Sequence, residues 1–354
     1  MTYLHFILLY CFRQLNGERS IYSAFHILNG KKSSQSIQDS HLFELQPFFL
    51  SLPSLSRDYF DNKVKGLEER QFIELNDDSK AKVTVKGEEE LQRQAVFFPS
   101  KMNGLVYGDR SILFWKRLNL LVQVISNMNQ KKVSYYPVQR SRNVQEWIKS
   151  FLKGVPDREL LGADLFAEIH ELLSAHDEVE DPSILVYRLT GFQDYGLTEV
   201  QTADKLNLPG EEYRFRFLNL IHGLLSKIDH QKEKYPILFS LSTVSSQQRN
   251  LTLSTSKTYD LYKQGYEIED ISRIRKLKVN TVEDHFIEII LTHDGFDTDC
   301  FIPHDELMKA ASVMKELGTR RLKPIKERLP HLTYFQIRIA IAKAGEKNGS
   351  PQRA

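Results

Sequence analysis

Cysteine is scarce in this chain of 354 residues, which has only Cys11 and Cys300. The two are far apart and match neither a disulfide framework nor a paired metal-binding spacing, a usage that suits a reducing cytoplasm. Long apolar runs are missing too. The opening YLHFILLYCF is broken by His5 and is shorter than the ~20 residues that cross a bilayer. It lacks a basic n-region and a small-residue cleavage site. A core helix and no membrane contact are expected, and without a secretory route the Asn250-Leu251-Thr252 sequon carries no meaning. Charge of one sign is absent overall: a net +2 and a pI near 8.3 imply no partner by themselves.

Catalytic signatures are lacking as well. There is no GxxxxGK[ST] loop, so the chain cannot hold ATP as a motor does. His170-Glu171 followed by His176 is too long for HExxH, which needs both histidines one turn apart on a helix. His293, Asp294, Asp297, Asp299, Cys300 and His304 lack paired ligand spacings and read as a polar loop. Gly191 to Gly196 follows no strand, which argues against a phosphate cradle. The expectation is a protein that is not an enzyme, with no cofactor, no metal and no small-molecule substrate.

What is present is a soluble globular composition, 41% hydrophobic and 27% charged, long enough at ~150 residues per domain for two or three domains. The stretch Leu253 to Leu291 is the most informative. Its first helix stops at Gly265, a residue free to adopt the left-handed conformation that ends helices. Ile268, Ile271, Ile274 and Leu277 then recur at helical spacing. Asn280 is a candidate N-cap, and the third helix puts Val282, Phe286, Ile289 and Ile290 on one stripe. This is helix-turn-helix order. The third helix exposes Glu283, Asp284 and Glu288 on this reading, which disfavours base readout by carboxylates near phosphate. Backbone contact is expected instead, from Arg273, Arg275, Lys276 and Lys278 with Asn280 and Thr281 at the helix start.

Charge is also concentrated downstream. From Lys309 to Ala354 eleven bases oppose three acids, about +8, a localised asymmetry typical of a nucleic-acid surface. Arg320, Arg321, Lys323, Lys326, Arg328, Arg338 and Lys343 are the candidate phosphate contacts. Pro303, Asp305 and Glu306 open a helix that Gly318 stops, a basic helix covers Leu322 to Leu329, and Thr333 can cap the last one.

The rest of the chain is expected to be mainly α and multi-domain. Residues 1–95 resemble a winged helix: several helices, then FIELNDDSKAKVTV as a hairpin with an Asn-Asp-Asp turn, closed by Gly87. Residues 96–240 read as a helical middle domain with a buried helix over Leu113 to Met128. That domain also holds a candidate helix-turn-helix at 197–225. Lys131 to Pro137 could offer aromatics and bases to a single strand, but reads as a loop with two partly packed tyrosines. Ser240 to Ser256, polar and small, marks a boundary. A helix-turn-helix domain follows over 253–345, and 346–354 is expected to be a flexible tail.

KTYDLYKQGYEIEDISRIRKLKVNTVEDHF followed by RRLKPIKERLPHLTYFQIRIAIAKA resembles the helicase-associated helix-turn-helix module at the C-terminus of some RecQ-type DNA helicases. With FHILNGKKSSQSIQDSHLF near its start, the chain is similar to the YpbB family of Bacillus-like bacteria. That resemblance implies a non-enzymatic, DNA-binding accessory protein whose partners are DNA and a RecQ-type helicase. It brings no catalytic residues. The other readings open at this stage are a helix-turn-helix transcriptional regulator, which needs a symmetric dimer, and a protein-interaction scaffold without DNA contact.

Overall fold

A computed structural model describes every residue except 133, 175–178, 244–250, 294, 320 and 347–354. His176, Asp294 and Arg320, named above, lie outside the described residues. The chain is mostly helical with one two-stranded antiparallel hairpin. It divides into two compact units, one of residues 1–6 and 94–247 and one of residues 7–93 and 248–354.

The second unit begins with α1 (Tyr3–Leu15, its first four residues counted with the other unit), α2 (Ile21–Asn29), α3 (Ser34–Leu42) and α4 (Arg57–Glu69). Gly30 ends α2 at φ 70°, and the Ser33 and Ser56 side chains cap α3 and α4 by accepting first-turn N–H groups. Strands β1 (Ile73–Leu75) and β2 (Ala81–Val83) pair with Ile73 opposite Val83 and Leu75 opposite Ala81. Asn76 makes the turn, its Oδ1 accepting the N–H groups of Asp78 and Lys80 at 3.1 and 2.9 Å.

Gly87 does not close the hairpin, as expected from the sequence, but lies inside α5 (Val85–Gln94). Thr84 Oγ1 accepts its N–H at 3.1 Å. A Cβ there would meet the Phe72 carbonyl oxygen at 2.3 Å. Alanine in a helix normally gains about 1 kcal/mol over glycine. Here the clashing atom is the backbone just ahead of β1, which cannot rotate away as a side chain could, so Gly87→Ala should instead cost about 2–3 kcal/mol. Urea denaturation of the variant checks this, and a gain in stability would show that the hairpin yields.

The first unit is built around α6 (Gly104–Asn129), with α7 (Arg142–Lys153), α8 (Arg158–Ser174), α9 (Ser183–Val186), α10 (Glu199–Lys205), α11 (Gly210–His230) and α12 (Pro236–Ser242). Polar residues along α6 each hold another segment. Arg110 grips both carboxylate oxygens of Asp229 at 2.6 Å and the Ser242 carbonyl at 2.9 Å. Buried Arg117 donates to the Leu241 and Thr243 carbonyls at 3.0 and 2.6 Å and lies 4.0 Å over the Trp147 ring. Asn119 bridges the Arg188 carbonyl and the Thr190 N–H, each at 3.1 Å. The 197–225 segment folds as α10, a short turn and α11. Buried residues from Tyr213 to Ile228 lie on most sides of α11, while Arg214 pairs with Glu199 and Arg216 with Glu212.

The chain ends in the second unit with α13 (Leu253–Lys263), α14 (Ile268–Arg275), α15 (Val279–Thr292), α16 (His304–Leu317), α17 (Leu322–Arg328) and α18 (Tyr334–Glu346). Gly318 ends α16 at φ 59°. Thr333 and Gln336 form a reciprocal cap on α18, at 3.1 and 2.9 Å.

Candidate nucleic-acid interface

Helices α13, α14 and α15 form the helix-turn-helix frame, and α15 is its innermost element. Val282 and every residue from His285 to Leu291 are buried. The apolar stripe accounts for one side only; α13 and α14 cover part of the rest, and α18 and α3 another part. Glu288 therefore does not face solvent. It is fully buried, and its carboxylate accepts from the Thr252 N–H, the Thr252 hydroxyl at 3.2 Å and the Thr255 hydroxyl at 2.6 Å. Burial pushes its carboxyl up from the usual range, and the three donors pull against that shift. The acid fixes the start of α13 to the middle of α15.

His285 is buried beside it, its Nδ1 2.8 Å from the Thr258 hydroxyl. Burial, then the nearby Arg275 guanidinium, push it down to about 4, so the ring is neutral at pH 7. Asp284 pairs with Arg338. Glu283 and Asp284 are half-buried, so none of the three acids of the third helix is fully exposed. What α15 leaves open is its first turn, where Lys278, Val279 and Asn280 are exposed and Thr281 is half-buried.

The helix starts two residues earlier than the sequence suggested: Lys278, not Asn280, is the N-cap, and its side chain makes no capping bond. Asn280 is instead a first-turn residue. Without a side-chain cap, the Val279 and Asn280 N–H groups at the start of α15 remain available to water or an anion, while those of Thr281 and Val282 return to the Lys278 carbonyl. Lys276 ends α14 in the left-handed conformation at φ 52°, where glycine carries no steric cost. Its N–H and that of Leu277 return to the Arg273 and Ser272 carbonyls. Ile274, expected on the apolar side of α14, is exposed; Ile271 supplies the buried contact.

The remaining candidate bases differ in what they already hold. Arg273 is exposed and pairs with Asp270 across one turn. Arg275 is half-buried, donating to the Ser254 carbonyl at 2.8 Å and to the Thr258 hydroxyl. Arg321 donates to the Gly17 carbonyl at 2.8 Å. Lys326 donates to the Pro330 and Leu332 carbonyls of the turn that follows its helix. Arg328 pairs with Glu316 at 3.0 Å, Lys323 is exposed, and Lys343 is half-buried on α18. The structure thus brings Lys276, Lys278, Asn280 and Thr281 together at one open helix end, and gives Arg273, Arg275, Arg321, Lys326, Arg328 and Arg338 intramolecular partners. Sequence reasoning missed Glu288 as a structural acid. Its one local signal was a carboxylate amid the otherwise apolar Phe286–Leu291 run.

Among the described residues no group of three metal-ligating side chains is gathered, and no helix is long and apolar enough to cross a membrane. Residues 254–341 match the family model of a helix-turn-helix domain, which suggests DNA binding and a non-catalytic role. The chain is 32% identical over 351 residues to Protein YpbB of Bacillus subtilis (strain 168), covering 97% of this chain and 98% of that protein. No solved structure matches it.

Proposed function

The chain belongs to the YpbB family, and from that premise we propose that it is a DNA-binding accessory protein of a RecQ-type helicase that holds duplex DNA through phosphates. The observation that carries the DNA half is the open end of α15: two exposed lysines, Lys276 and Lys278, beside uncapped helix N–H groups. A helix N-terminus flanked by cations is a phosphate site. Base reading by the rest of α15 is disfavoured because that surface is buried, and phosphate contacts position a protein without reading sequence. The helicase half rests on the likeness of residues 257–286 and 320–344 to the helicase-associated module. In that division of labour the motor hydrolyses ATP and separates strands, and this chain adds affinity for DNA.

Duplex binding measured against salt tests the first half. Lys276→Glu with Lys278→Glu should weaken binding more than tenfold at ~0.15 M salt and flatten the log–log slope by about 1.8, at ~0.9 per phosphate. Lys276→Gly separates function from fold. Relief of the left-handed strain should stabilise the protein by about 0.5–1 kcal/mol, while the slope falls by ~0.9. An unchanged slope in both variants would remove this end of α15 from the DNA surface. Co-purification of the full chain with a RecQ-type helicase from the same cell tests the second half, and no association in nuclease-treated extract would reject it.

A further inference from the structure

The connection from α6 into α7 carries a second, differently built basic surface. Between Lys131 and Lys153 there are six bases, Lys131, Lys132, Arg140, Arg142, Lys149 and Lys153, against the single acid Glu146. All six are exposed, and among the described residues none is in an ion pair. Five other cations of the same unit are paired: Arg110 with Asp229, Arg188 and Arg214 with Glu199, Arg216 with Glu212, Lys234 with Glu171. On α7, Arg142, Lys149 and Lys153 stand seven and eleven residues apart and so share one side, turned away from the buried Val144, Ile148 and Leu152. That side runs for ~16 Å along the helix axis.

Tyr136 sits at the start of this surface, 95% exposed, whereas the sequence suggested a partly packed ring. Its backbone is nonetheless held. Buried Gln123 donates to the Tyr136 carbonyl at 3.0 Å and accepts the Val138 N–H at 2.8 Å. Gln145 donates to the Gln139 carbonyl at 2.7 Å. Pro137 between them fixes its own φ. A large ring is thus presented to water from an anchored stretch of chain, with unpaired cations on both sides in sequence.

We propose that Lys131, Lys132, Tyr136, Arg140, Arg142 and the outer side of α7 form a surface for a single strand of DNA, with the basic side chains following its phosphates and Tyr136 stacking on an unpaired base. A cationic track interleaved with an aromatic platform is how single strands are bound without sequence preference. A duplex offers the phosphates but no free base face, so the exposed ring is what selects the single strand. This surface lies in a different unit from the helix-turn-helix and does not depend on the duplex contact proposed above.

The test is fluorescence anisotropy of the full-length protein with a 30-nucleotide oligo-dT strand as salt is varied. Replacing Lys131, Lys132, Arg140 and Arg142 together by Glu should lower affinity more than tenfold. At ~0.7 per contact for single strands, the slope should flatten by about three. All four are exposed, so the unfolding temperature should hold; the same four changed to Gln give a milder variant should the first not fold. Tyr136→Ala should cost roughly tenfold in affinity with the slope unchanged, because it removes stacking and no charge. Folded charge variants that bind oligo-dT with the parent's affinity and slope would overturn the proposal. So would a Tyr136→Ala protein that binds like the parent.

Discussion

Glu288→Ala should lower the stability of the protein by about 3–5 kcal/mol, among the largest losses expected of any single side chain here. The magnitude follows from what the carboxylate serves. Three donors, the Thr252 N–H and the Thr252 and Thr255 hydroxyls, converge on it in a buried site. Each donor left without an acceptor costs about 1–3 kcal/mol, and the missing side chain leaves a cavity as well. Glu288→Gln keeps the shape and one acceptor oxygen, so it should recover a substantial part of the loss. Thermal unfolding of both variants, read alongside exposed Glu269→Ala as a control, checks the prediction. A Glu288→Ala protein as stable as the control would mean that the threonines find water instead.

Acidification should destabilise the unit of α6–α12, and His222 should be the main cause. His222 is buried on α11, and its Nδ1 accepts the Asn103 N–H at 3.1 Å. Asn103 in turn caps α6 through the Val106 N–H. A proton on Nδ1 would set donor against donor at that cap. Burial holds the ring down to about 3, well below its ordinary 6.5. The folded pKa lies below the unfolded one, so the native state binds the proton less well. Stability is therefore complete above pH ~6.5 and falls as pH drops, at about 1.4 kcal/mol per unit. By pH 4.5 the loss is about 2.7 kcal/mol. Glu168 and Glu180, pushed up by burial, act in the opposite sense, favouring the native state as they take up protons near the carboxylate range. His222→Gln isolates the histidine. Urea midpoints at pH 7.5, 6 and 4.5 should fall less steeply in that variant, and parallel curves would refute the assignment.

How much was legible from the residues differs from element to element. Val282, Phe286, Ile289 and Ile290 mark their stripe because burial on one helix side repeats every three or four residues, and the structure buries all four. Gly30, Gly265 and Gly318 end their helices with positive φ for a reason visible in a single residue. Glu288 could not be read in the same way. Its donors come from 33 and 36 residues upstream, and a lone acid at helical spacing looks like surface. The burial of α15 on its other sides was hidden too, since α3 lies far upstream in the chain. Arg321 illustrates the same limit at the candidate interface. It reads as one base of a phosphate-binding run, yet its guanidinium donates to a carbonyl 304 residues away. Arg117, Asn119 and Gln123 interrupt an apolar stretch where local pattern offers no hint of the loops they hold.

The packing of α3 against α15 and α18 also sets a schedule for synthesis. Ile37 and Leu42 on α3 are buried in the finished protein, and two of the helices that pack on α3, α15 and α18, are encoded after the whole stretch 94–247. At ~5–20 residues per second, a ribosome needs on the order of ten seconds to half a minute to make that stretch. Throughout that interval α3 can pack on α2, but the side that meets α15 and α18 has nothing to set against it. The unit that holds the helix-turn-helix can close only near the end of translation, and until then its N-terminal part is a client for any chaperone that recognises an exposed helix face.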